Sequence, residues 1–171
     1  MMEFLQVIDI RALEYIDKHF KNPILDRIMP VVTSLGNFGV IWIAVSLMLL
    51  ENKSYRFEGI MLMSSLLLTT IMGEGIIKHI VKRSRPFTEI VDEKLLIARP
   101  VTYSFPSGHS ASSFAAASIF VNMNNWISSI AVMIAILIAF SRLYLKVHYP
   151  LDVFSGILLG ILCSSIVMIA F

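Results

Sequence analysis

Charge is scarce in this chain of 171 residues, at 15% against roughly 25% in a soluble domain. Cysteine is nearly absent. The one residue, Cys163, lies in the last apolar run, which excludes an intramolecular disulfide and a cysteine-based metal site. Neither sign of charge dominates, since 14 Lys and Arg stand against 12 Asp and Glu. Without a concentrated basic stripe, no nucleic-acid partner is expected. The N-terminal stretch lacks a signal peptide's apolar core, because Glu3, Asp9, Arg11, Glu14, Asp17 and Lys18 interrupt it. What stands in place of charge is hydrocarbon. Hydrophobic residues make up 57% of the chain and mean hydropathy is +0.78, well beyond the roughly 45–50% apolar content of soluble domains.

A bilayer crossing takes about 20 apolar residues, so the length accommodates five or six crossings with short connections. The expected fold class is all-α: a single membrane-embedded domain over residues 1–171, an integral membrane helical bundle of about five transmembrane helices plus an N-terminal interfacial helix. Residues 3–20 place Phe4, Leu5, Ile8, Ile10, Leu13, Ile16 and Phe20 among charges at spacings near three and four, the pattern of an amphipathic helix resting on the membrane. Spans are expected over 28–50, 60–81, 107–123, 126–145 and 151–171. Ser84-Arg85-Pro86 stops the second, because the residue before a proline is pushed out of the α region. The third is rich in Ala and Ser, and the fifth carries Gly156-x-x-x-Gly160, so both suit close helix approach. The stretch 87–105 reads as a loop with one short helical piece. Five spans put the N-terminal helix, the loop at 82–105 and the connection at 143–150 on one membrane face. The turns near 51–58 and 122–125 and Phe171 fall on the other.

Lys78, His109, Arg142, His148 and Asp152 all stand at span ends on the first of these faces. Ionisable groups at membrane depth are costly and mark functional sites by default. Lys78 and Arg85 are seven residues apart and share a helix face for as long as the helix lasts. Pro106-Ser107-Gly108-His109 opens the third span, and a helix start offers amide donors and a positive dipole end to an anion such as phosphate. Arg142 brings a planar donor fork for the same anion. Pro150 opens the fifth span, so Asp152 falls in its first turn. From there it is expected to accept Nδ1–H of His148 and leave Nε2 unprotonated, as a nucleophile requires. These groups together describe metal-free phosphoryl transfer: cations hold the phosphate oxygens, His148 attacks phosphorus, and His109 protonates the leaving oxygen. Glu74, one turn before Lys78, is expected to pair with it.

Lys78 with six residues to Arg85-Pro86, then Pro106-Ser107-Gly108-His109, then Ser141-Arg142 with five residues to His148 and three more to Asp152, resembles the three-part signature of the type 2 phosphatidic acid phosphatase superfamily. The resemblance implies His148 as nucleophile, Asp152 as its partner and His109 as acid. Lys78, Arg85, Ser107, Gly108 and Arg142 would bind phosphate, with no cofactor and no metal. Within the superfamily, the size and span count look most like small bacterial undecaprenyl pyrophosphate phosphatases of the bacitracin-resistance type. The implied activity is hydrolysis of a lipid phosphate or pyrophosphate through a phosphohistidine, with undecaprenyl pyrophosphate as the first candidate. Phosphatidylglycerophosphate, phosphatidic acid and lipid A phosphatases share the same core. A vanadate-dependent haloperoxidase, also similar in motifs, is disfavoured by the hydropathy, and a transporter by the clustering of nearly all the in-span charges at one end. The implied location is a cell membrane with the site at the extracytoplasmic face. Lysine and arginine nevertheless concentrate on the site's face, only Lys53 and Arg56 standing opposite, a bias that by itself favours the cytoplasm.

Overall fold

In the computed structural model, residues 2–89, 95–123 and 126–171 are described, with side chains from Gln6 onward and Glu89 excepted. The turn residues Asn124 and Asn125 and the loop charges Asp92, Glu93 and Lys94 lie outside the described residues. The secondary structure is helical throughout, with no strand among the described residues. Helices α1 (Met2–Phe20) and α2 (Pro23–Leu35) are joined at Asn22, whose side chain accepts from the amides of Ile24 and Leu25 and so caps α2. After α2 come α3 (Val40–Glu51) and α4 (Arg56–Thr70). A π-helical stretch, Ile71–Ile77, then leads into α5 (Lys78–Val81). The short α6 (Pro86–Glu89) is followed by α7 (Gly108–Asn122), α8 (Ile127–Tyr144) and α9 (Pro150–Ala170).

Three helical stretches are long and apolar enough to cross a membrane: Arg56–Thr88, Ile127–Tyr144 and Pro150–Ala170. A fourth results if the pair Pro23–Leu35 and Asn37–Glu51, bent by 45°, counts as one span. The first span is therefore not the continuous helix expected over 28–50. It breaks where Phe38 (φ 52°) and Gly39 (φ 66°) take left-handed backbone, a region that suits glycine and is uncommon for a bulky residue. Helix α7 has only 15 residues, about 22 Å at 1.5 Å per residue, short of the roughly 30 Å hydrocarbon core. It is an inner helix: Ala111, Ala115, Ala116, Ala117 and Ile119 are all buried.

The closest packing is between α7 and α9. A Cβ added at Gly160 would lie 2.2 Å from the Ala111 carbonyl oxygen, and one at Gly156 2.5 Å from that of Ser107. Only bare backbone fits there, so these glycines and the alanines of α7 set the distance between the helices. At the other end of the bundle, Trp42, Met61, Leu62, Leu66, Ile119, Phe120 and Ile138 form an apolar core. Trp42 meets its one polar requirement by donating to Ser113 Oγ at 3.0 Å.

The ends of the bundle sort as expected. The Phe57 and Phe171 rings are 6.1 Å apart, which places the 51–58 turn beside the C-terminal residue. At the opposite end, Tyr144 Oη donates to Asp26 Oδ1 at 2.7 Å and Lys146 pairs with Asp17 of α1 at 3.2 Å. Helix α1 therefore lies across the ends of α8 and α9. One of its charges is not at the surface: Asp9, which the amphipathic pattern places among solvated groups, is 0% exposed.

Candidate active site

The second span delivers two cations by different routes. The π-helical stretch holds Glu74, whose Oε1 and Oε2 lie 2.7 and 2.8 Å from Lys78 Nζ, the pairing expected from their spacing. The helix then stops at Val81, earlier than Pro86 alone would require, because Lys82 turns left-handed (φ 49°, ψ 38°). Arg85 therefore does not share a helix face with Lys78. It reaches the site from the non-helical segment and is buried by the 95–105 loop, donating from Nε to the Thr102 carbonyl at 2.7 Å and from Nη2 to that of Tyr103 at 3.1 Å. Thr102 Oγ1 also accepts from Lys78 Nζ at 3.3 Å and from Arg85 Nη2 at 3.2 Å, tying the two cations together.

Arg85 Nη1 donates to His148 Nε2 at 3.3 Å and to the Val147 carbonyl at 2.8 Å. A guanidinium has no acceptor, so Nε2 carries the lone pair. Burial, and then the charges of Arg142, Arg85 and Lys78, hold this imidazole well below its ordinary value, so it is neutral. The bond expected between its Nδ1 and Asp152 is not formed. Nδ1 lies 3.7 Å from Oδ2, outside hydrogen-bond range. The carboxylate is engaged elsewhere: Oδ2 accepts from the Tyr149 amide at 2.9 Å, the usual work of an acid in a helix's first turn, and Oδ1 takes Arg83 Nη1 at 2.8 Å.

Arg83 is a residue the motif reading passed over. Its other nitrogen pairs with buried Asp9 Oδ2 at 2.6 Å, and its guanidinium lies over the Tyr149 ring, 4.1 Å from the centroid. Asp9 Oδ1 in turn accepts the Leu151 amide at 3.0 Å. One cation thus locks two carboxylates, and the N-terminal helix is fastened to the start of α9. The available signal was an acid standing between Ile8 and Ile10.

Ser107 is turned away from where the helix-start reading puts it. Its amide, expected to be free for an anion, donates to the Asp152 carbonyl at 2.9 Å. Its hydroxyl is used as N-cap of α7 and by Ser110 Oγ at 2.9 Å, and the residue is fully buried. The reason is the α7–α9 contact, which turns the start of α7 toward α9 backbone. Gly108 and His109 do face the open side. A side chain at 108 would meet Glu74 Oε1 at 2.3 Å, so close approach requires glycine there.

A cavity of about 880 Å³ gathers Lys78, Arg85, Gly108, His109, Arg142 and His148, and Arg99 joins them from the loop. It continues past Glu74 into an apolar groove of Ile43, Met63, Leu66 and Leu67. Asp152 and Ser107 stand behind its wall. The broken first span contributes two residues not singled out from the sequence. Thr33 Oγ1 accepts from Arg142 Nη1, and Asn37 Oδ1 lies 3.0 Å from His109 Nε2. Their only trace in the sequence is the interruption Gly36-Asn37-Phe38-Gly39 within an otherwise apolar run.

Residues 58–171 match the PAP2 superfamily, and the chain belongs to it: an all-α, multi-pass membrane protein of that family. An undecaprenyl-diphosphatase of Sulfolobus acidocaldarius is 36% identical over 121 residues, covering 70% of this chain and 58% of the relative. The chain thus spans a little over half the length of that curated relative. The crystal structure of Aquifex aeolicus LpxE is similar at a TM-score of 0.80 and 28% identity, over 94% of both chains. That of a Bacillus subtilis PAP2-type phosphatidylglycerolphosphate phosphatase is similar at 0.76 and 25%, over 96% of this chain and 84% of the other.

Proposed function

We propose that this protein is a lipid phosphatase whose residues 1–171 act as one catalytic domain, hydrolysing a membrane lipid phosphate or pyrophosphate through a phosphohistidine. His148 Nε2 attacks the terminal phosphorus as its bond to the leaving oxygen breaks, the lipid oxygen in a monophosphate or the bridging oxygen of the departing lipid monophosphate in a pyrophosphate, and His109 gives that oxygen its proton. Water then attacks phosphorus, the bond to Nε2 breaks, and His109 takes the water's proton. Lys78, Arg85 and Arg142 stabilise the phosphoryl oxygens throughout. Asp152 acts on His148 from behind, through the Arg83 and Tyr149 contacts that fix it at the helix start.

The observation that carries this reading is a buried imidazole nitrogen facing a guanidinium at the polar end of a cavity whose other end is apolar. Arg142 Nε adds a buried donor with no hydrogen-bond partner among the described residues, a vacancy that a phosphate oxygen would satisfy. The substrate we infer is undecaprenyl pyrophosphate, hydrolysed at the extracytoplasmic face of the cell membrane. The diphosphatase relative and Arg99, a further cation for a second phosphate, support it.

Phosphate release from a panel of purified lipid phosphates tests the substrate. The pyrophosphate should be turned over fastest, and a phosphatidylglycerophosphate turned over at least ten times faster would replace it. Rapid quench should trap phosphohistidine, and excess EDTA should leave turnover unchanged. For orientation, a cysteine at Thr102 in a background lacking Cys163 should react with an impermeant thiol reagent in intact cells, whereas one at Lys53 should not. The reverse pattern would put the site in the cytoplasm.

A further inference from the structure

The three motif segments leave one question about His109: what aims its ring. The residue opens α7, and nothing on α7 itself bonds its imidazole. The contacts come from the break in the first span. Asn37 Oδ1 lies 3.0 Å from His109 Nε2, and Gly36 packs against the ring so closely that a Cβ there would come within 2.7 Å of Cδ2 and 2.9 Å of Ile138 Cγ2. Gly36 has ordinary right-handed backbone (φ −85°, ψ −4°), so it is the ring's nearness, not the dihedral, that requires glycine. The same helix end supplies Thr33 to Arg142.

We propose that the Thr33–Asn37 segment is a fourth element of the site, in which Asn37 is a positioning residue for the acid His109. An amide oxygen can only accept, so Nε2 keeps its hydrogen throughout, and the proton given to the leaving oxygen is carried on Nδ1. Gly36 closes the space behind the ring, and the imidazole is held on two sides. The left-handed turn at Phe38 and Gly39 follows from this task. It bends the span so that Asn37 points inward while Phe38 is 94% exposed. The other charged or titratable groups around His109 are Arg142 from α8, His148 from the α8–α9 connection, Lys78 and Arg85 at the end of the second span, and Glu74 beside Gly108. None of these supplies the acceptor that Asn37 does.

This inference rests on His109 being the acid, and leaving-group chemistry separates the two. The test therefore uses a lipid monophosphate, phosphatidic acid, whose departing alkoxide needs protonation, whereas p-nitrophenolate does not. Asn37→Ala should lower kcat for the lipid phosphate about tenfold, a part of the roughly 10²–10⁴-fold that general acid catalysis provides, with KM nearly unchanged. The first-turnover burst of p-nitrophenol from p-nitrophenyl phosphate should change less than twofold. Gly36→Ala, which moves the ring without touching Asn37, should give the same split. Asn37→Asp, which keeps an oxygen acceptor, should recover most of the lipid-phosphate turnover lost in Asn37→Ala. Equal slowing of both substrates by Asn37→Ala, or no slowing of either, would overturn the positioning role. His109→Ala serves as calibration. If it lacks the leaving-group split, the acid assignment itself fails. If it shows the split and Asn37→Ala does not, only the present inference fails.

Discussion

The α7–α9 pair and the broken first span meet the same cavity from two sides and are built by opposite means. Between α7 and α9 the side chains have almost vanished. Gly156 and Gly160 lie against the carbonyls of Ser107 and Ala111, and the Ser107 amide donates directly to the Asp152 carbonyl. Backbone against backbone leaves no rotamer to adjust, so the segment bearing His109 and the segment bearing His148 are held at one separation. The first span instead gives up its helix at Gly36–Gly39 and reaches His109 and Arg142 with side chains, Asn37 and Thr33. The difference separates two tasks. Distance between reacting groups is set by a contact that cannot slide, whereas orientation of an individual ring or guanidinium is set by a bond that one substitution removes.

The largest effect should come at the residue whose place the rigid pair fixes. His148→Ala should reduce turnover to near background in a protein that still folds, as judged by its melting in detergent. Near-normal turnover by this folded variant would remove the nucleophile assignment. Next come the cations. Lys78→Ala, Arg85→Ala and Arg142→Ala should each cost about 10²–10³ in rate, as preorganised donors to a developing charge do. Steady-state kinetics with a lipid phosphate would show this in kcat more than in KM.

The comparison itself is tested by Gly160→Val, which forces atoms into a space where a single Cβ already lies 2.2 Å from a carbonyl oxygen. Overpacking should destabilise the protein by about 1–3 kcal/mol, read as a lowered melting temperature. A melting temperature equal to the parent's would show that the α7–α9 contact is not the rigid one. Asn37→Ala should leave melting nearly unchanged.

The smallest effect concerns pH. His148 is kept neutral by burial and by Arg142, Arg85 and Lys78, so its acid limb in kcat/KM should lie below the ordinary imidazole value of 6.5. Asp152 is the carboxylate nearest this ring, but it is already held by Arg83. In the unfolded chain the same imidazole takes up a proton as pH falls through 6.5, and in the fold it does not. The unfolded state then binds more protons, and this contribution to stability is present above that pH and lost below it. Melting temperatures of the parent and His148→Gln, compared between pH 8 and 5, should converge or cross toward acid. A parallel pair of curves would contradict the buried neutral state.

How much of this was legible beforehand varies by segment. Apolar run lengths located the helices, and Pro86, Pro106 and Pro150 marked where chains enter or leave them. The second helix ends at Val81, where its apolar run stops, but the residue that ends it is Lys82, which takes left-handed backbone with no glycine to announce it, and not the Ser84-Arg85-Pro86 stop. Span ends and motif spacing point to Lys78, Arg85, His109, Arg142 and His148, and the fold brings them to one cavity. Ser107 was named as well, but it faces α9 backbone instead, because a motif specifies residue types and not which of two neighbours a serine will turn to.

The chain's own sequence determined that it is a helical membrane protein, which small residues allow close packing, and which ionisable groups fall together at one end. These follow from hydropathy and helical period, which any segment carries locally. The tertiary structure alone decided that Asp9 is buried and locked to Arg83, that Asp152 serves Arg83 and Tyr149 in place of a direct bond to His148, and that the first span breaks to bring Asn37 to His109. The partners in these contacts are far apart in the chain, 74 residues for Asp9 and Arg83 and 72 for Asn37 and His109. Periodicity shows that a face is covered, but which polar group meets which is settled only when the helices are set against one another and most buried donors find acceptors.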